Sequence, residues 1–372
     1  MESKRIVGIH MVAVRIDIAG RTLGQDCPCF ITFEAGPTHD GVESAKRLAN
    51  IAAEAGADAL KFQILDPDRL VSDRKQLFRY EILVDRETGR TETVEQPLYD
   101  LLARRSLPPD GWRAVKSHCD GLGLAFFATV GFEEEVDLVT ALGCHSIKIA
   151  SADVNHEPLL KRVAKTGLNV QLDTGNSTLG EIEQAVDVLH AAGCGSIIIH
   201  HCPSGYPARL ECINLNVIRA LKSMFPCPIA YSDHSPGWEM DIAAVAIGAD
   251  RVEKTITEDR MTQSIEHVMS LEPRDMSRFV EVIRDIERAM GGSRRIMTQQ
   301  ERQRRLAVRR SVCAKANLPE GHRLREEDLD YRRPGTGIAP DATPELVGRV
   351  LALPLEAGQM LDWSNLLPRE TP

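Results

Sequence analysis

The chain lacks several features, and each absence removes a class of function. No apolar run approaches the roughly 18 residues that cross a bilayer, and no long basic block is present. The first residues alternate like a strand pair and lack an apolar core followed by a small-residue cleavage site. Lys and Arg total 45 against 54 Asp and Glu, a net charge of −9, which disfavours non-specific attraction to nucleic acid or an anionic membrane. Neither is an expected partner, and a cytoplasmic location is expected. The nine cysteines are odd in number and scattered, and they form no CxxC pair and no zinc-finger spacing. Reduced thiols that mostly fill the core are expected. No GxGxxG follows the first strand-like run, which argues against a dinucleotide-binding open sheet.

What is present reads as an enzyme-sized globule. At 372 residues, 43% hydrophobic and 27% charged, the chain has room for one large domain and a small one. Strand-like runs at 30–34, 59–63, 125–129, 146–150, 169–173, 196–200, 228–232 and 251–256 alternate with helical patterns. Four of those helices run into a glycine turn, at AGAD (55–58), LGCH (142–145), AGCG (192–195) and IGAD (247–250). Eight strand–helix units over roughly 250 residues is the count for a (β/α)8 TIM barrel, with a doubly wound sheet as the alternative. We therefore expect a barrel domain at 1–290, opening with an N-terminal β-hairpin at 1–28. A linker or exposed helix follows at 291–305, then a compact β-rich domain at 306–372 with strands near 308–314, 329–332 and 349–353. The charged insertion from about 66 to 110 shows no clear period and belongs on the barrel's C-terminal face.

The stretch 146–153, SIKIASAD, organises the candidate site. Ile147 and Ile149 alternate with Lys148 before small and polar residues end the strand. A lysine there is costly to bury unless an anion meets it. The same pattern recurs at the other strand ends, with Glu34, Lys61 and Gln63, Thr129, Asp173 and Thr174, and His200 with His201. Ser204, Tyr206, Ser232, Asp233, His234, Glu253 and Lys254 complete it. A barrel brings such ends to one mouth. Lys61 and Lys148, with Thr129, Ser151, Ser204, Tyr206 and Ser232, supply charge and donors for a phosphate and a carboxylate. Glu34 and Asp153 are placed to bind sugar hydroxyls or move protons. His234, with His200 or His201, is a candidate holder of a divalent metal. The mouth suits a phosphorylated three-carbon acid meeting a polyhydroxy aldehyde. It also admits a Schiff-base aldolase or isomerase using Lys61 or Lys148, or a non-catalytic sugar-binding barrel.

FITFEAGPTHDG (30–41), AEAGADALKFQ (53–63), IKIASAD (147–153), DTGNSTLGEI (173–182), HCPSGYPA (201–208), YSDHSPG (231–237) and HVMSLEP (267–273) carry a resemblance over nearly the whole chain. They resemble the phosphoenolpyruvate-dependent sialic acid (N-acetylneuraminate) synthases, with their pseudaminic and legionaminic acid relatives. RRS (309–311) and RRPGTGI (332–338) look like that family's SAF (antifreeze-like) domain. The resemblance implies a C–C bond-forming transferase that condenses phosphoenolpyruvate with an open-chain N-acylated aldose. It places Lys61, Thr129, Lys148, Ser151, Ser204, Tyr206 and Ser232 on phosphoenolpyruvate and Glu34 near the reacting carbons. Asp153 and Glu266 fall on the sugar, His234 on one of two metal-ligand histidines for Mn²⁺ or Mg²⁺. Arg333 would reach over the partner's barrel mouth in a domain-swapped homodimer. The chain departs from the pattern at Thr255, where the second metal histidine is expected. Either Glu253, His201 or His267 substitutes, the metal is held weakly, or the reaction runs without it. Asp173 for a serine, Thr38 for an asparagine and QSIE (263–266) for the PGPD loop all bear on the aldose, pointing away from plain N-acetylmannosamine.

Overall fold

The computed structural model describes residues 14–368 and divides the chain into two compact units, one ending at Gly291 and one beginning at Gly292. The first unit opens with an antiparallel hairpin of β1 (Ile16–Ile18) and β2 (Arg21–Leu23); residues 1–13 of the expected hairpin region lie outside the described residues. The barrel strands begin with β3 (Phe30–Glu34) and β4 (Ala59–Gln63), and a second hairpin follows, β5 (Leu77–Asp85) with β6 (Arg90–Pro97). Six more barrel strands complete the series: β7 (Ala125–Val130), β8 (Ser146–Ile149), β9 (Asn169–Asp173), β10 (Ile197–His201), β11 (Ile229–Asp233) and β12 (Arg251–Thr255). Strands β3, β4 and β7 to β12 pair in parallel and close, β12 on β3, into an eight-stranded (β/α)8 TIM barrel.

The barrel closes because every strand has two buried faces of different kinds. Residues facing the helices, such as Ile147, Leu172, Ile199 and Val252, are apolar and fully buried. Each such side chain contributes about 1.5–3 kcal/mol. The inward face starts apolar: Phe30, Ala59, Ala125, Phe127, Ile198 and Ala230 pack with Ile16, Ile18 and Leu23, so the first hairpin plugs the N-terminal end. Higher up, the inward positions turn polar and charged, and this is where the site lies. The connecting helices stop where glycine permits a left-handed turn, at Gly56 (φ 85°) and Gly193 (φ 95°) among others. The helix Leu179–Ala191 starts with a capping box, Glu181 N donating to Thr178 Oγ1 at 3.3 Å while Thr178 N donates to Glu181 Oε2 at 2.7 Å.

Two expectations need correcting. The insertion after β4 is not structureless: β5 and β6 form a long hairpin whose Tyr80 and Ile82 pack with Leu101 and Ile265. Its period is masked because only a few of its side chains are buried among many charges. In the second unit, β13 (Ser311–Ala314) pairs antiparallel with β14 (Leu329–Arg332), over a core that includes Val312, Leu324, Leu351 and Leu361. The strand expected at 349–353 is reduced to isolated bridges, Arg323 to Val350 and Leu351 to Leu366. The helix Gln299–Val308 begins within the stretch expected as a linker, runs on into the start of the expected second domain, and buries no residue.

Candidate active site

The charged layer of the barrel interior is built around Glu253, on the last strand. Its Oε1 accepts from Lys61 Nζ at 3.1 Å and from Lys148 Nζ at 2.5 Å, and its Oε2 accepts from Arg251 Nη2 at 3.0 Å. Lys148 also pairs with Asp173 Oδ2 at 2.9 Å and donates to Ser232 Oγ at 3.4 Å. Lys61 pairs with Glu34 Oε2, while Glu34 Oε1 accepts from Gly36 N at 2.5 Å. That last contact requires glycine, since a Cβ at residue 36 would come within 2.6 Å of Glu34 Oε1 and 2.7 Å of Gln63 N. Lys61, Lys148 and Arg251 thus balance Glu34, Asp173 and Glu253. Replacing buried ion pairs by apolar residues is often stabilising by about 1–4 kcal/mol, so stability alone does not explain three of them in one barrel.

The shifts within this array follow from burial set against neighbouring charge. Burial pushes Lys61 below the usual lysine value despite Glu253. Burial opposes the charge on Lys148 too, but Asp173 and Glu253 reverse the effect and raise it. Glu253 also loses solvation, yet Lys148 and Lys61 hold it well below the carboxylate range. His200 is fully buried, 3.5 Å from Asp173 Oδ1; burial, then the charges of Lys148 and Arg251, keep it neutral.

Above this floor opens a cavity of about 350 Å³. Glu34, Lys61, Lys148 and Asp173 reach it from below, with Thr129, Ser151 and Asp153 on one side and Tyr206, His234 and Glu266 on another. Burial raises the Asp153 carboxyl, and His156, 3.4 Å away, counteracts part of that. Glu135 ties together the loops that follow β4 and β7: its carboxylate accepts from Asp66 N at 2.9 Å, Gly131 N at 2.6 Å and Phe132 N at 3.1 Å.

Not every expected residue joins. Ser204 lines a separate cavity with Thr174 and Gly175, because the turn after β10 carries it away. Arg333 is exposed and belongs to the second unit. His201, Asp233 and Lys254 sit at strand ends, but the alternation of a strand turns them outward. His201 Nε2 meets Ile213 O at 2.6 Å, and Lys254 pairs with Asp233 beneath the helix Glu239–Ala246. Missed by sequence reasoning as site members were Arg251 and Arg105, and Glu253 as the hub; the signal for Arg251 and Glu253 was their shared parity on β12.

The donor set does not fit a tightly held divalent metal. His234 Nδ1 lies 3.3 Å from Pro203 O and 3.9 Å from Cys202 Sγ. Thr255 Oγ1 donates to Glu266 Oε2 at 3.5 Å, a neutral hydroxyl where an imidazole would bind strongly. Of the candidate substitutes, Glu253 is committed to three cations, His201 faces outward, and His267 Nδ1 meets Thr257 Oγ1 at 2.7 Å. Among the described residues, no three His, Cys, Asp or Glu side chains are grouped to hold a metal ion.

Residues 48–295 match the NeuB family, and residues 309–367 match the SAF domain. The chain belongs to the NeuB family. It is 32% identical to the N,N'-diacetyllegionaminic acid synthase of Legionella pneumophila, covering 92% of this chain and 96% of that one. It is 30% identical to the human N-acetylneuraminate-9-phosphate synthase, over 91% of this chain and 92% of that one. The crystal structure of the N-acetylneuraminic acid synthetase of Leptospira borgpetersenii aligns with a TM-score of 0.69 at 30% identity, covering 79% of this chain and 96% of that one. No helix among the described residues is long and apolar enough to cross a membrane.

Proposed function

We propose that the chain is a nonulosonate synthase that condenses phosphoenolpyruvate with an open-chain N-acylated aldose. C3 of phosphoenolpyruvate attacks the aldehyde carbon, water adds to the cation left at C2, and the C–O bond to phosphate breaks. The products are a 2-keto-3-deoxy sugar acid and inorganic phosphate. The observation that carries the reading is that Lys61 and Lys148, from separate strands, meet on one oxygen of Glu253 at the floor of a cavity edged by Thr129 and Ser151. Two ammonium groups so placed neutralise phosphate and carboxylate as charge develops. Glu34, held by Gly36 N and Lys61, is the proton-transfer group beside the reacting carbons. Asp153, its carboxyl raised by burial, Tyr206 and Glu266 hold the aldose oxygens.

No step is routed through a metal, since the donor set does not gather around His234. The assembly we propose is a cytoplasmic homodimer in which the partner's SAF domain contributes its arginine at position 333. Arg333 is exposed and has no ion pair among the described residues, as a residue reserved for a partner would be. The reading is tested by incubating the purified protein with phosphoenolpyruvate and a panel of N-acylated hexoses and assaying phosphate. Aldose-dependent release with at least one of them is expected. Release with none of them, or borohydride trapping of a keto substrate on Lys61 or Lys148, contradicts it.

A further inference from the structure

Arg251 lies one layer below the cavity floor, on the same face of β12 as Glu253, and it does not line the cavity. It is fully buried, its guanidinium 4.7 Å from the centre of the Phe127 ring and 5.8 Å from that of Phe30. Burial pushes it down to about 10, and Glu253, then Asp173, work against that, so it is charged at neutral pH. A chain of hydrogen bonds sets its aim. Nη1 donates to Gln171 Oε1 at 2.5 Å, Gln171 Nε2 donates to Ser146 Oγ at 2.6 Å, and Ser146 Oγ donates to Asn169 O at 2.9 Å. Asn169 Nδ2 donates in turn to Asp17 O of the first hairpin at 3.0 Å. The chain thus runs from the plug at the N-terminal end of the barrel up to Glu253.

The two oxygens of Glu253 keep different company. Oε1 holds both lysines, with Ser232 Oγ at 3.4 Å, whereas Oε2 holds Arg251. A polyanionic substrate entering the cavity reaches the lysines and not the arginine. As Lys61 and Lys148 turn to it, Oε1 keeps only a hydroxyl. A buried carboxylate stripped of its cations is strongly unfavourable, so a Glu253 without further counter-charge competes with the substrate for the lysines. Arg251 is the counter-charge that stays behind, and its bond to Gln171 prevents it from following the lysines upward.

We propose that Arg251 is a positioning residue for the reaction: it holds Glu253 by Oε2, so that Lys61 and Lys148 can leave Oε1 for the anionic substrate. The inference rests on the condensation reading, which supplies phosphoenolpyruvate as that substrate. It adds a residue that touches neither the substrate nor the cavity.

Calorimetric titration of phosphoenolpyruvate, with a thermal scan of each protein to establish folding, tests it in the wild type, R251Q, R251Q/E253Q and Q171M, with E253Q closing the cycle. R251Q is expected to weaken phosphoenolpyruvate binding by about tenfold or more. Adding E253Q to it should recover about threefold or more of that loss, because the competing carboxylate is gone. A residue that only braced the barrel would behave in the opposite way, the second change adding to the damage. Q171M keeps both charges and removes only the acceptor that aims the guanidinium, and it should weaken binding about threefold. Wild-type affinity in folded R251Q, or no recovery in the double variant, overturns the inference. Should R251Q fail to fold, wild-type affinity in Q171M overturns it instead. A wild type that does not bind phosphoenolpyruvate removes the condensation reading and this inference with it.

Discussion

Lys148 and Lys254 make an instructive pair. Each is 1% exposed on a barrel strand, and each is matched by buried carboxylates. Lys148 points inward, and its partners Asp173 and Glu253 line the cavity. Lys254 points outward, pairing with Asp233, bonding Ser235 O at 2.5 Å and lying 3.8 Å from Asp241 beneath a helix. In the outer cluster, Tyr231, Ser235 and Lys254 satisfy Asp233, while burial and the charge of Asp233 raise the Asp241 carboxyl. The outer network does not reach the cavity, and through Asp233 and Ser235 it fixes the turn that carries His234. The inner one borders empty volume, so a ligand can exchange places with its internal partners. Composition is the same on both faces, and access to the cavity is what separates a binding site from a brace.

Breaking each member tests that distinction. K148M should lower kcat/KM on the order of 10³-fold and abolish the thermal stabilisation that saturating phosphoenolpyruvate gives the wild type. K254M should lower Tm instead, because unpairing a buried charge costs about 3–5 kcal/mol, yet keep the phosphoenolpyruvate-induced rise. Scanning calorimetry with and without phosphoenolpyruvate reads both. A ligand-induced shift retained in K148M, or lost in K254M, would erase the contrast.

The rim supplies a third environment, neutral and acid-sensitive. His39 and His267 have folded values of about 4 and are nearly fully buried, so the unfolded chain binds their protons first. Their contribution is fully present above the ordinary histidine value of about 6.5 and is lost as pH falls towards 4, at about 3 kcal/mol each. Urea midpoints should therefore fall steeply between pH 7 and pH 5. Equal midpoints would mean the imidazoles are already solvated. The smallest effect concerns the metal. Asp233 pairs in register with Lys254, which puts Thr255 beside His234 on the neighbouring strand. T255H should raise Mn²⁺ affinity, measured calorimetrically without substrates, by about tenfold. No gain would show that the two positions do not converge.

Much of this was legible in the chain before any coordinates. The eight strands stood out because apolar runs end in polar residues, and the helices because glycine closes them; the lysines at 61 and 148 followed from the barrel rule. What was hidden was parity and context. Glu253 and Lys254 look interchangeable in RVEKT, and only strand register sends one to the cavity and the other beneath a helix. Ser204 followed the turn after β10 into a different cavity, which strand-end counting does not capture. Arg105 was invisible as a cavity residue because its segment shows no period.

The central claim is that two ammonium groups on one carboxylate oxygen act together on one small acid phosphate. Calorimetric titration of phosphoenolpyruvate into the wild type, K61M, K148M and the double variant measures this directly as a double-mutant cycle. The account predicts that each single change weakens binding about tenfold or more and that the double change is far from additive, with a coupling of about 1 kcal/mol or more. Additive effects, or a single variant that binds phosphoenolpyruvate as tightly as the wild type, would contradict it.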